Sequence, residues 1–243
     1  LAAQPGVRYS LENPDSYINN NLVGFSNILE NCRNQKIKHL LFASSSAVYG
    51  GNINIPFKET QSVDHPINLY AATKKSNELM AHAYSHLYAL PVTGIRFFTV
   101  YGPWGRPDMA LSLFIKAIIN KEVIQINGNG SMERDFTYIE DIIEGLIRLM
   151  KKIPEGIKDF DKYNPNPSKS WAPYKIFNMG NSKKELLSKY IEVLEHCLGE
   201  KALKDFQPVQ PGEMFATESC NKSLKEWIDF KPKTPIEDGI ISF

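Results

Sequence analysis

Apolar and polar positions along the chain fall into a short series of alternating rhythms. Within "SLENPDSYINNNLVGFSNILENCR", apolar side chains recur at Tyr17, Ile18, Leu22, Phe25, Ile28 and Leu29. That is the three-to-four spacing of one helical face, and Pro14 and Asp15 suit its first turn. "KHLLFASSS" is a short apolar run ending in serines, which predicts a buried strand feeding a loop. Residues 50–68 are polar and turn-rich, and a second long helix is predicted over Leu69–Leu87. "LPVTGIRFFTVYG" reads as another buried strand. Strand, helix, strand in this order predicts a parallel sheet with helices on its faces.

After Gly102 the texture changes. "PWGRPDMALSLFIKAIINKEVIQING" reads as loop, helix and short strand. A turn follows, then a helix from near Ile139 with acidic residues in its first turn. Residues 153–174 carry several prolines and read as a long irregular loop. "YKIFNMGN" predicts a strand, and "KKELLSKYIEVLEHCLG" an amphipathic helix closed by Gly199. There is no internal repeat.

Composition narrows the class. With 243 residues, 42% hydrophobic and 23% charged, the chain is that of a soluble globular protein, expected to be cytoplasmic. A net charge of +1 argues against nucleic acid or an anionic membrane as its main partner. No apolar run approaches the roughly 20 residues of a membrane span. Cys32, Cys197 and Cys220 are odd in number and far apart, which suits a reduced compartment. The first residue is leucine, no signal peptide is evident, and "LAAQ" reads as the end of a buried strand. The chain is therefore expected to begin inside a fold.

Candidate chemistry centres on "YAATK". Of eleven tyrosines, only Tyr70 is followed four positions later by a lysine, Lys74. One helical turn apart, the two share a face, and the ammonium is expected to favour the phenolate. A phenol with an ordinary pKa of about 10 is otherwise a poor base at neutral pH. The serines that close the preceding strand can supply a hydroxyl beside it, at the carboxyl end of a strand where open α/β sheets bind ligands. Either signal alone is weak, since a solvated helix face and a serine-rich loop are commonplace. Their order along the chain strengthens both. His82 and His86 have metal-ligand spacing on a helix but lack a third ligand, so no metal is expected. Cys197, on an amphipathic helix, is expected to pack rather than react.

"LAAQPGVRYSLENP", "ASSSAVYG", "YAATK", "RFFTVYGPWGRPDMA", "RDFTYIED" and "QPGE" occur in the order seen in extended short-chain dehydrogenase/reductases. The chain resembles the NAD-dependent epimerase/dehydratase group of that family, and "YGPWGRPDMA" resembles the UDP-glucuronate 4-epimerases in particular. The resemblance runs over nearly the whole chain. It implies an α/β fold, a Rossmann-like parallel sheet with a smaller C-terminal substrate-binding domain. Residues 1–100 would be the second half of the NAD-binding domain and 101–243 mainly a nucleotide-sugar domain, with the strand near 175–180 returning to the sheet. The family's glycine-rich turn is not in these residues; "INGNGS" lacks the strand-before, helix-after setting. The resemblance thus implies N-terminal units beyond this sequence, without which the 243 residues would be inactive and bind NAD poorly.

By the same resemblance, Tyr70 is the catalytic base, Lys74 binds the nicotinamide ribose, and Ser45 is the catalytic hydroxyl. Leu1, Ala2, Ala3 and Phe98 would line the NAD site. Ser46 and Thr99, with Ser45, would grip the substrate, its carboxylate included. Arg106 and Arg134 would meet the diphosphate, where planar guanidinium groups suit phosphate oxygens, and Arg8 would reach the sugar. Two of these arginines have a plain alternative: Arg106 paired with Asp108, Arg8 in a surface salt bridge. Related dehydratases carry Asp and Glu at positions matching Ser46 and Ala47, and decarboxylating relatives place an acid at the latter. Alanine cannot move a proton, so oxidation and re-reduction without elimination is implied. Serine is commoner than alanine there in UDP-glucuronate epimerases, a departure, whereas Gln210 follows their pattern. The reaction implied is NAD-dependent 4-epimerisation of a UDP-sugar, UDP-glucuronate to UDP-galacturonate, through a transient 4-keto sugar. The alternatives are another nucleotide-sugar epimerase, a UDP-glucuronate decarboxylase, or a non-catalytic binding remnant. A homodimer through helices near 15–32 and 69–87 is also implied.

Overall fold

The computed structural model describes residues 3–242. Helices α1 (Tyr9–Glu12) and α2 (Pro14–Tyr17) lead through a π-helical stretch, Ile18–Val23, into α3 (Gly24–Asn34). The sequence predicted one unbroken helix here. Asn13 interrupts it: its backbone leaves the helical region, and its side chain accepts from Ser16 N at 3.2 Å to start α2. The wider π turn, a feature common at functional sites, carries a buried Asn21.

β1 (Leu40–Ser45), α4 (Leu69–Tyr88) and β2 (Val92–Phe97) follow in the order the polarity pattern predicted. β1 pairs in parallel with β2, Leu40 opposite Val92 and Ser45 opposite Phe97. The three strands nearly touch at Gly94, where an added Cβ would stand 2.4 Å from Ile176 Cδ1 and 2.6 Å from Phe42 Cζ. Only glycine admits that approach.

Residues 90–102 do not form one strand. β3 (Thr99–Tyr101) belongs to a different sheet. Phe98 makes the change: its N–H still reaches Met179 O, while its side chain drops into a buried cluster with Val48, Tyr49, Phe57 and Val63. α5 (Ala110–Ile119) and β4 (Val123–Ile126) come next, then β5 (Glu133–Tyr138) and α6 (Ile139–Met150). After the long loop, β6 (Tyr174–Met179) pairs in parallel with β2, so the first sheet runs β1–β2–β6. β7 (Lys184–Leu186), α7 (Leu187–Leu198), β8 (Leu203–Phe206), α8 (Lys222–Ile228) and α9 (Ile236–Ile241) complete the chain. β5 lies between β3, parallel, and β7, antiparallel; β4 and β8 pair separately. Charged Glu133, Arg134 and Asp135 hid β5 from the polarity pattern. Leu29, Phe42, Ala81, Val92 and Ile176 pack between the first sheet and α3–α4. Tyr101, Phe136, Tyr190, Leu194 and Ile240 fill the second core.

Asp135 ties the two sheets together. Fully buried, its carboxylate accepts from the backbone N–H groups of Asn181, Ser182 and Ser219 and from Ser219 Oγ at 2.6 Å. It thereby holds β5 to the turn after β6 and to the tail leading into α8. Asp135→Asn would point an amide NH2 at donors, each unpaired donor costing about 1–3 kcal/mol. A clear fall in the midpoint of urea or thermal unfolding is expected; an unchanged midpoint would contradict this role.

Candidate active site

Tyr70 occupies the first turn of α4. That helix starts where it does because the Asn68 side chain accepts from Ala71 N at 2.8 Å, an N-cap, and its Nδ2 donates to Gly212 O at 3.0 Å. β1 ends facing it. Ser45, in extended backbone, caps the single 3-10 turn Ser46–Tyr49, its Oγ accepting from Ala47 N at 3.1 Å. The same hydroxyl faces the Tyr70 phenol and favours its ionised form. Tyr17 presents its ring edge-on to Tyr70, centroids 6.2 Å apart.

Burial raises the Tyr70 pKa above its ordinary 10, against the pull of the Ser45 hydroxyl and the charge of Arg106. This corrects the expectation that Lys74 would depress it. The Lys74 ammonium stands 5.8 Å from the Tyr70 ring centroid and donates instead to Ala43 O at 3.0 Å. Burial pulls its own pKa down to about 8. Lys74 is nearly sealed from solvent, and Ala43 O is its only hydrogen-bond acceptor among the described residues. An ammonium has three donors, so this side chain suits a polyol such as a ribose diol, the part of NAD that the resemblance assigns to it.

The remaining candidates divide. Ser46 and Thr99 are half-buried, Ser46 one residue beyond Ser45 and Thr99 opening β3 opposite Phe136. Arg134 lies on β5, its Nη1 donating to Glu133 O at 2.9 Å and Phe215 O at 3.0 Å; burial lowers its pKa against the nearby Glu213 carboxylate. Arg106 forms the plain ion pair with Asp108, yet its charge acts on both Tyr70 and Tyr17. Arg8 likewise takes its plain alternative, an exposed salt bridge with Glu213 at 2.9 Å. Phe98 is core, only 6% exposed, because the chain crosses between sheets at that residue. Ala3 is half-buried in a bend; Leu1 and Ala2 lie outside the described residues. His82 and His86 meet Ser170 Oγ and the Trp171 indole N–H, and no metal-binding cluster occurs among the described residues.

Three contributors escaped the sequence reading. Asn21 clamps the chain before the site, accepting from Gln4 N at 2.8 Å, donating to Gln4 O at 3.0 Å and reaching Thr73 Oγ1 at 3.1 Å. Tyr17 donates to Gly6 O and Pro5 O. Glu213 brings Arg8 and Arg134 into one patch. Only the Asn68 cap, two residues before Tyr70, carried a local signal.

Comparison with known proteins places the chain in a family. Residues 1–164 match the model of the "NAD dependent epimerase/dehydratase family". Protein CapI of Staphylococcus aureus is 54% identical over all of this chain and 73% of its own length. A probable UDP-glucuronate 4-epimerase of Rhizobium meliloti is 46% identical, over all of this chain and 72% of its own. The crystal structure of UDP-glucuronic acid 4-epimerase from Bacillus cereus, in complex with UDP-glucuronic acid and NAD, superposes with a TM-score of 0.83 at 30% identity, covering all of this chain and 72% of that one. The sheet β1–β2–β6 is thus part of a Rossmann-like fold. On these likenesses the chain belongs to the NAD dependent epimerase/dehydratase family, and the protein is an enzyme whose cofactor is NAD.

Proposed function

We propose that the protein interconverts UDP-glucuronate and UDP-galacturonate by 4-epimerisation through a transient 4-keto sugar. The observation that carries the reading is the Tyr70 phenol facing the Ser45 hydroxyl, with Lys74 buried one turn along the same helix. Bound NAD supplies a hydride acceptor and donor. Tyr70 takes the proton from the sugar O4 and returns it. Ser45 orients that oxygen and favours the phenolate. Lys74 holds the ribose with the donors that Ala43 leaves free, while Ser46 and Thr99 receive the hexuronate carboxylate. Arg134, with Arg106 nearer the base, complements the substrate's negative charge. The buried Ala47 methyl supports reversible oxidation over elimination, since it offers no acid or base. The relatives named above are what favour glucuronate over other sugars.

The division into an NAD-binding part over residues 1–100 and a mainly substrate-binding part over 101–243 goes with this reading, β6 joining the first sheet. So does a homodimer through the helices near 15–32 and 69–87, where Val23, Ile28, Leu79 and Leu87 are exposed apolar residues. Met80 instead packs against the core. Among the described residues no helix is long and apolar enough to cross a membrane.

Two experiments on the intact protein test the reading. Anion-exchange chromatography after incubation with UDP-glucuronate should show UDP-galacturonate, and Tyr70→Phe should lower turnover by about 100-fold or more. UDP-xylose as product, or full activity in Tyr70→Phe, would overturn it. Lys74 should also show a conflict between stability and function. Its folded pKa of about 8 lies below its ordinary 10.5. The unfolded chain therefore binds more protons between those values, and this group's contribution to stability rises with pH across about 8 to 10.5. Lys74→Met should stabilise the fold at pH 7 by about 1–3 kcal/mol, remove that rise, and abolish turnover. A lower melting temperature at pH 7 would contradict the burial argument.

A further inference from the structure

Glu78 is a third member of the Tyr70–Lys74 stripe, eight residues past the tyrosine and so on the same face of α4. It is buried and accepts from Ser44 Oγ at 2.6 Å. Both its oxygens are also held by Arg96 of β2, Nε to Oε1 at 2.8 Å and Nη2 to Oε2 at 2.9 Å. Among the described residues Arg96 is the largest fully enclosed side chain. Its guanidinium lies 4.9 Å from the centroid of the Tyr49 ring, at the far end of the 3-10 turn that follows Ser45. Tyr49 in turn donates to Asn178 Oδ1 at 2.7 Å on β6.

These contacts converge on one face of α4. Ala43 O meets Lys74, Ser44 Oγ meets Glu78, and Ser45 Oγ faces Tyr70. Three consecutive residues of β1 are thereby registered against three turns of α4. The Ser44–Glu78 contact is the rigid one, because a bidentate arginine–carboxylate pair fixes its acceptor in both distance and plane. We propose that Glu78 and Arg96 are positioning residues: their buried pair sets the registry of β1 on α4 and so holds the Ser45 hydroxyl against Tyr70. Neither lies at the reacting atoms. Replacing a buried ion pair by apolar side chains of similar volume is often neutral for stability, so stability alone does not account for a pair that costs two buried charges.

The inference rests on the catalytic roles given to Tyr70 and Ser45, and the test separates the two. Tyr70 faces Lys74 on its own helix, Arg106 from the loop after β3 and Tyr17 from the N-terminal helices. Only the Ser45 contact should change in the variants. In the intact protein, the double variant Glu78→Leu/Arg96→Met should melt close to the parent. Its kcat should fall by about 100-fold or more while the KM for UDP-glucuronate stays within about threefold. Hydrogen–deuterium exchange over residues 40–49 should quicken in it, with α7 unchanged. Ser44→Ala, which removes one hydroxyl, should lose about three- to tenfold in kcat and move the acid limb of the kcat–pH profile upward, as Tyr70 loses the Ser45 contact. A folded double variant with parental kcat and exchange would overturn the proposal. Should the double variant not fold, parental kcat and pH profile in Ser44→Ala would do so. If the parent turns over no UDP-sugar, the functional reading fails, and exchange over residues 40–49 still decides the registry.

Discussion

The seating of α4 across the carboxyl end of β1 is the contact on which the rest of the site depends. It is made largely of polar groups withdrawn from water. Lys74, Glu78 and Arg96 are all buried, and a buried charge is tolerable only when paired and hydrogen-bonded. Glu78 and Arg96 pair through two hydrogen bonds and Ser44 completes the carboxylate, while Arg96 Nη1 finds no partner among the described residues. Burial would raise the Glu78 pKa, yet the Arg96 guanidinium and the Ser44 hydroxyl hold it below the ordinary carboxylate value. Lys74 has no such counter-charge. The unfavourable electrostatics of the helix therefore collect at Lys74, one turn from Tyr70.

The second constraint is topological. Parallel strands deliver their carboxyl ends to one edge, and here β1 ends at Ser45 while β2 passes through Phe98 into a different sheet. Burying Phe98 is what turns the chain, and Thr99 is the first residue after that turn. Asp135 closes the arrangement by accepting from four donors on two other segments. Arg134, its neighbour, thereby faces the patch that also holds Arg8 and Glu213. The candidate site is thus a junction of loops between sheets, each anchored by a buried polar contact.

Physical accessibility sorts the arginines of the site. Arg8 and Arg106 are partly exposed and paired in geometries worth little by themselves, since surface ion pairs contribute about 0–1 kcal/mol. Such pairs exchange partners at small cost. Arg134 is held more firmly, with backbone oxygens as acceptors and burial lowering its pKa. Arg96 is enclosed entirely and serves the framework.

The sequence by itself determined what depends on local periodicity and residue type. The run ending at Ser45, the helix from Leu69 and the Tyr70–Lys74 pair were all legible, because apolar spacing and helical register are properties of adjacent residues. The Asn68 cap carried a local signal as well, but the reading passed over it. Tertiary structure alone decided the rest. β5 carries charges that find their partners on Lys184, on the turn after β6 and on the tail before α8 only in the folded chain, so its strand character was invisible along the sequence. Phe98 reads as one more strand residue until the two sheets part at it. Asn21 and Gln4 are far apart in sequence, as are Asp135 and Ser219, and no spacing rule connects them. The Tyr70 pKa is the sharpest case: the lysine one turn away was evident, but its distance from the phenol and the burial of both groups exist only in the folded chain.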